Sequence, residues 1–199
     1  MSVSEVQVAK LALQHIGDRF DITSLSEAST EAEQINLVFD SLRDALLREH
    51  PWKFAQRFVS PSALSGTPPA QWTYMFTYPA DAMKVQYIVN PLDRDDRTIP
   101  FDVLVNNADV KVLVTDEQSP EFAYTKKITS PIQWDASFVM ALSWRIAAHV
   151  TLPLTGDKEL SSAMYDTAEY WVGIAKREDG NEGIARNQSQ DPDWIKKRS

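Results

Sequence analysis

The chain of 199 residues has no cysteine, only six glycines and only three histidines, and each shortage removes a class of chemistry. Without cysteine there are no disulfides, thiolate metal sites or cysteine nucleophiles. His15, His50 and His149 stand far apart and lack the HExxH spacing of a zinc protease, so the pattern predicts no metal. His149, inside an apolar run, reads as a buried core histidine. The glycines never form GxG, neither GKS nor GKT occurs, and no serine sits in a GxSxG elbow. The expectation is therefore no cofactor and no catalytic residue.

Long hydrophobic runs are also scarce. The most apolar stretch, Phe138 to Leu154, is interrupted by Arg145, His149 and Pro153, and it is short for a bilayer crossing. A buried helix and no membrane partner are expected. No basic segment followed by an apolar core comes after Met1, so no signal peptide is predicted and assembly in the cytoplasm is. Positive charge is the minority: 20 Lys and Arg against 28 Asp and Glu give a net charge of −8. That sign opposes a broad grip on phosphates. The run Asp93 to Arg97 (DRDDR) balances its own charges and reads as a solvated loop rather than a cation site.

What is present is mostly helical punctuation. Ser4-x-x-Gln7 forms a capping box ahead of Val8, Leu11, Ala12 and Ile16, and Gly17 suits the residue past the helix end. Thr30-x-x-Glu33 offers a second box before a stripe of Ile35, Val38, Phe39, Leu42, Ala45 and Leu46. Pro51 ends that helix near Glu49 and biases His50 away from helical angles. The chain then runs extended, with Trp52 and Phe54 on one face as an aromatic plug.

Residues 60–70 (SPSALSGTPPA) read as a loop. Between Gln71 and Lys127 the period becomes two, giving four or five short antiparallel strands with a tight turn at Asn106-Asn107. Ser130, Pro131 and Asp135 introduce a third helix through Val150, apolar almost all round and so central; Pro153 and Gly156 mark its exit. A fourth helix carries Leu160, Ala163, Met164, Thr167, Ala168, Trp171, Ile174 and Ala175. The fold class is α+β, mainly α: a four-helix bundle over 1–175 with a small β subdomain inserted at about 70–128, then an extended tail over 176–199. That tail holds only Ile184, Ala185, Trp194 and Ile195 as apolar side chains, too few to offset its ordering entropy alone. Trp194-Ile195 beside Lys196, Lys197 and Arg198 has the composition of a peptide that orders on a partner.

The order of these features resembles the head-to-tail adaptor family of short-tailed bacteriophages, also called tail tubular protein A. The matching stretches are ALQHIG (12–17), ITSLSE (22–27), VFDSLRDALLREHPWKFA (38–55), PAQWTYMFTYPAD (69–81), FVMALSWRIAAHVTLPLTGD (138–157) and DPDWIKKRS (191–199). The resemblance implies a non-enzymatic virion protein of the neck, assembled in the host cytoplasm. It would form a homo-oligomeric ring, twelvefold in that family, between the portal protein and the tail nozzle protein. DNA would pass through the channel without specific binding, and a negative subunit limits its adhesion. The resemblance also gives Trp194, Ile195, Lys196, Lys197 and Arg198 the role of docking into the portal.

Ring closure requires two different, mutually complementary patches on each subunit. Leu37 and Leu47, off the main stripe of the second helix, and Tyr165 and Tyr170, off that of the fourth, are the candidates to be exposed for it. Two rival readings stand beside the adaptor. One adds a glycoside hydrolase activity, discussed for members of that family, for which no carboxylate pair is identifiable. The other is an acidic binding module that stays monomeric.

Overall fold

The computed structural model describes residues 3–17, 21–68, 71–89 and 98–182. Among the described residues, four helices and two small antiparallel sheets, about 49 % helix and 19 % strand, make the fold mixed α+β.

Helix α1 (Glu5–Ile16) starts as its capping box dictates: the Gln7 amide donates to Ser4 Oγ at 3.2 Å and the Ser4 amide to Gln7 Oε1 at 2.9 Å. Helix α2 (Thr30–Glu49) is capped one residue earlier than expected. Ser29 Oγ accepts from the Ala32 amide at 3.3 Å, and the second box does not form. Ser29 itself donates to Glu27 at 2.8 Å, and Glu27 also takes bonds from the Thr23 hydroxyl and from the amides of Thr23 and Ser24. These bonds, led by that of the Thr23 hydroxyl, pull the Glu27 carboxyl down to about 2.

The buried stripe of α2 is Ala32, Ile35, Phe39, Arg43, Leu46 and Leu47, while Ala45 is exposed. Arg43 occupies a position where the helical period calls for an apolar residue. Its guanidinium is neutralised by Asp40 at 2.7 Å and Asp44 at 2.7 Å, and Lys127 reaches Asp44 from the far side at 2.6 Å. Burial alone would raise the Asp44 carboxyl, but the bonds and charges of Lys127 and Arg43 outweigh it and hold it low.

Beyond Pro51 the chain is not extended but forms a 3₁₀ turn, Lys53–Ala55. Trp52 is fully buried, and its indole N–H donates to the Leu46 carbonyl at 2.8 Å, one of the four carbonyls that the end of α2 leaves without a helical partner. The aromatic plug is therefore also a cap. Trp134 repeats the device, donating to the Ile128 carbonyl at 2.9 Å.

Helix α3 (Ala136–Thr155) packs against α1, α2 and α4 (Lys158–Asn181) and is the hub of the helical core. It is long and apolar enough by composition to cross a membrane, and here ten of its residues are buried in the protein. It runs five residues past Val150, through Pro153, and stops at Gly156, whose φ of 72° is the left-handed cap geometry. Phe138 is the focus of the core rings, with Trp52 and Phe54 both at 5.1 Å and Trp134 at 5.7 Å.

Strands β1 (Gln56–Val59), β2 (Tyr74–Thr77), β3 (Ala82–Ile88), β4 (Phe101–Val105), β5 (Lys111–Thr115) and β6 (Phe122–Lys126) form two sheets, ordered β1-β6-β3 and β2-β5-β4. Phe76 and Leu113 of one meet Val85, Ile88, Phe122 and Tyr124 of the other in a shared apolar layer. The outer face of β2-β5-β4 buries Met75, Val112 and Val114 beneath Leu64 and Trp72. The preceding loop is thus part of the sheet edge, with the Leu64 amide donating to the Met75 carbonyl at 2.8 Å. The β4–β5 connection is wider than a two-residue turn: Asn106 Oδ1 accepts from the amides of Ala108 and Val110, and Asp109 takes the positive φ of 58°.

Candidate assembly surfaces

The residues expected at a subunit contact divide three to one. Leu37, on the outer side of α2, is 74 % exposed, Tyr170 63 % and Tyr165 44 %. Leu47 is fully buried, which removes it from the candidates. It follows Leu46 in the last turn of α2, and both belong to the helical core together with Trp52. Trp194, Ile195, Lys196, Lys197 and Arg198 lie outside the described residues.

The exposed candidates do not form one patch. Tyr165 and Tyr170 are five residues apart on α4, which rotates them by roughly 140° about the helix axis. Tyr165 packs edge-on against His149 at 5.2 Å, whereas Tyr170 lies against Trp171 at 6.1 Å. His149 is exposed rather than buried: it faces outward with Leu152, and its Nδ1–H donates to the Arg145 carbonyl at 2.9 Å. A helix apolar in composition still has one uncovered side when three neighbours surround it.

Several exposed apolar residues escaped the sequence reading. Phe58 on β1 and Tyr87 on β3 both pair across to Ala123 of β6, so a small buried residue separates two exposed rings on one sheet face. Val105 and Val110 flank the β4–β5 turn, and Ile132 follows Pro131 ahead of α3. A two-periodic pattern marks alternate residues for opposite faces but does not say which face stays open.

Two polar constellations have the distances of catalytic pairs. His15 Nε2 lies 3.1 Å from Ser143 Oγ, yet Ser143 is fully buried and its hydroxyl donates to the Met140 carbonyl at 2.8 Å. The imidazole stacks on Trp144 at 3.7 Å, and burial pushes its pKa down to about 4. The imidazole is a half-buried packing group, and the serine it meets is closed to solvent. The second pair joins His50 Nε2 to Asp179 Oδ2 at 2.9 Å, with Asp179 Oδ1 accepting from the Lys53 amide at 2.8 Å. The carboxylate orients the imidazole, and among the described residues no serine or threonine is a hydrogen-bond partner of the pair. Among the described residues no three His, Asp or Glu side chains are grouped to hold a metal ion.

Charge gathers instead where helices meet. Arg145 of α3 bridges Glu49 of α2 at 2.7 Å and Glu169 of α4 at 3.1 Å, and Lys176 of α4 returns to Glu49 at 2.5 Å. Burial would raise the Glu49 carboxyl, but Lys176 and Arg145 together hold it low. Comparison with known protein families and with curated proteins gives no match to the chain.

Proposed function

We propose that the chain is a structural head-to-tail adaptor of a short-tailed bacteriophage. Its body is a four-helix bundle with an inserted β unit, and copies close into a ring between portal and tail nozzle through which DNA passes. The observation that carries this reading is a junction. The two most specific stretches of the resemblance, RDALLREHPWKFA and LSWRIAAHVTLPLTG, meet through the Glu49–Arg145 ion pair at 2.7 Å, beside the contact of Trp52 and Phe54 with Phe138. They serve one purpose, fixing the α2 end against α3.

Exposed Leu37 on α2, and Tyr165 and Tyr170 on different sides of α4, suit a subunit with more than one neighbour. Trp194 and Ile195 supply an anchor for portal grooves, since a buried indole carries much of an interface's energy. The net charge of −8 keeps a ring channel from adhering to DNA.

The test is co-sedimentation with assembled portal rings. The intact chain is expected to sediment with the portal, and a chain lacking residues 190–199 to remain folded and soluble but stay in the supernatant. Undiminished binding after that deletion would overturn the docking role. No binding of the intact chain would overturn the adaptor reading itself.

A further inference from the structure

The corner Glu49–Lys53 holds the end of α4 at three successive points. Lys176 pairs with Glu49, Asp179 accepts from the Lys53 amide and from His50, and Lys53 Nζ reaches the Gly180 carbonyl at 3.3 Å. The Asp179 side chain is 4 % exposed, although Arg177, Glu178 and Gly180 around it face solvent. A final helical turn ordinarily frays. This one is pinned by a buried carboxylate.

Asp179 is also an unexpected choice. Ala168, Val172 and Ala175 set the buried stripe of α4, and Asp179 continues it four residues on. A leucine there would bury apolar area with no desolvation penalty, whereas a carboxylate is held only while its donors stay in place. A polar contact of this kind is specific in geometry and reversible. Its donors belong to the chain segment that joins α2 to β1: His50 follows the last residue of α2, and Lys53 opens the 3₁₀ turn that leads directly into β1.

We infer that this joint is a releasable clasp, coupling the residues that follow α4 to the edge strand β1. A partner that engages the chain beyond residue 182 and draws on α4 withdraws Asp179 from the corner. The Lys53 amide and His50 then lose their acceptor, the 3₁₀ turn loosens, and β1, with exposed Phe58 on its outer face, is free to adjust against a neighbour. The inference rests on the adaptor reading for the identity of that partner, but the coupling itself belongs to the isolated chain. Its two states differ by defined contacts, as a switch requires.

Amide hydrogen exchange on the full chain tests it without any portal. Asp179→Ala is expected to speed exchange of residues 174–182 and of residues 50–58 together by roughly tenfold, the effect of a lost charge-assisted bond. Protection in β5, β6 and α1 should stay unchanged. Asp179→Asn, which retains an oxygen for the Lys53 amide, should give a smaller effect with the same pattern. His50→Gln, altering only the more exposed donor, gives the same comparison should the alanine variant fail to fold. Faster exchange confined to 174–182, or a uniform rise throughout the molecule, would overturn the coupling. Either of those results leaves the adaptor reading standing. Coupled exchange with no portal binding by the intact chain sinks that reading and leaves the clasp.

Discussion

Around α3 the core is built on rings that meet at one residue: Phe138 touches Trp52, Phe54 and Trp134 at 5.1, 5.1 and 5.7 Å. Between the sheets the fully buried ring, Phe122, has two ring partners, Phe76 at 6.5 Å and Phe101 at 5.6 Å, and the other rings of that layer, Tyr74, Tyr78 and Tyr124, lie among aliphatic side chains. The helical part ties its margins with charge, buried at Arg43 and partly exposed in the Glu49–Arg145 network. Both parts leave rings in the open, Tyr165 and Tyr170 on α4 and Phe58 and Tyr87 on the sheet. The difference lies in the interior: the helical core converges on one ring, whereas the rings of the sheet layer are spread among aliphatic neighbours.

The largest expected effects test that contrast directly. Phe138→Ala removes a ring with three aromatic neighbours and should cost about 4–5 kcal/mol, at the upper end for a core aromatic. Phe122→Ala should cost about 3 kcal/mol. Urea unfolding of both variants measures the order, and a larger loss for Phe122→Ala would break the comparison.

Next comes the buried charge of α2. Asp44→Ala leaves the 3 % exposed Arg43 guanidinium with Asp40 alone and strips Lys127 of its partner, so a loss of about 3 kcal/mol is expected. Arg43→Met, which removes the ion and fills the space, should fall within about 1 kcal/mol of the parent. Equal losses for the two variants would mean that the pair contributes through attraction, not through the desolvation cost of the charge left behind.

This arginine also shows where sequence reading succeeds and stops. Helix existence, the Ser4 box, the stop at Pro51 and five of the six strands follow from local chemistry, because caps, prolines and period-two alternation act within a few residues. The stripe of α2 was misplaced at Ala45 because a hydrophobic tally cannot count Arg43, whose burial depends on carboxylates three residues before and one after it. The extended run expected from Trp52 onward is displaced: a 3₁₀ turn intervenes and the strand, β1, starts only at Gln56, where pairing with β6 sets its place. The division into two sheets is a matter of distant pairing, invisible in spacing. Asp179 was read as part of a polar tail, since its donors lie 126 and 129 residues away in sequence. Of the surface candidates, Leu37, Tyr165 and Tyr170 are exposed, whereas Leu47, equally off the stripe, lies in the helical core.

A smaller effect is the response of the helical part to pH, carried by two groups in different windows. His15, between α1 and α3, has a folded value near 4 against 6.5 unfolded, so between those limits the unfolded chain binds a proton that the folded one refuses. Stability therefore falls as pH drops from 6.5 toward 4. Glu27 acts in the same direction over a lower window: its folded value near 2 lies below the ordinary 4.5, so its contribution is full above 4.5 and is lost only as pH falls toward 2. Unfolding midpoints followed across pH should show the first loss flattened in His15→Phe and the second flattened in Glu27→Gln. A His15→Phe profile identical to the parent would show that the imidazole titrates alike in both states.

The smallest effect on stability is expected where the adaptor reading needs the largest effect on assembly. Leu37 is 74 % exposed, so Leu37→Ser removes little burial and should change the unfolding free energy by no more than about 0.5 kcal/mol. Leu47→Ser, ten residues along the same helix at a fully buried site, should cost about 3 kcal/mol or more. If Leu37 contributes to a ring contact, its serine variant keeps the parent's urea midpoint while losing part of its incorporation into portal-bound rings, read as mass per ring. Full incorporation would assign Leu37 to the ordinary scatter of exposed leucines and shift the contact to Tyr165, Tyr170 or the open rings of Phe58 and Tyr87, since a heterologous interface must bury apolar area somewhere.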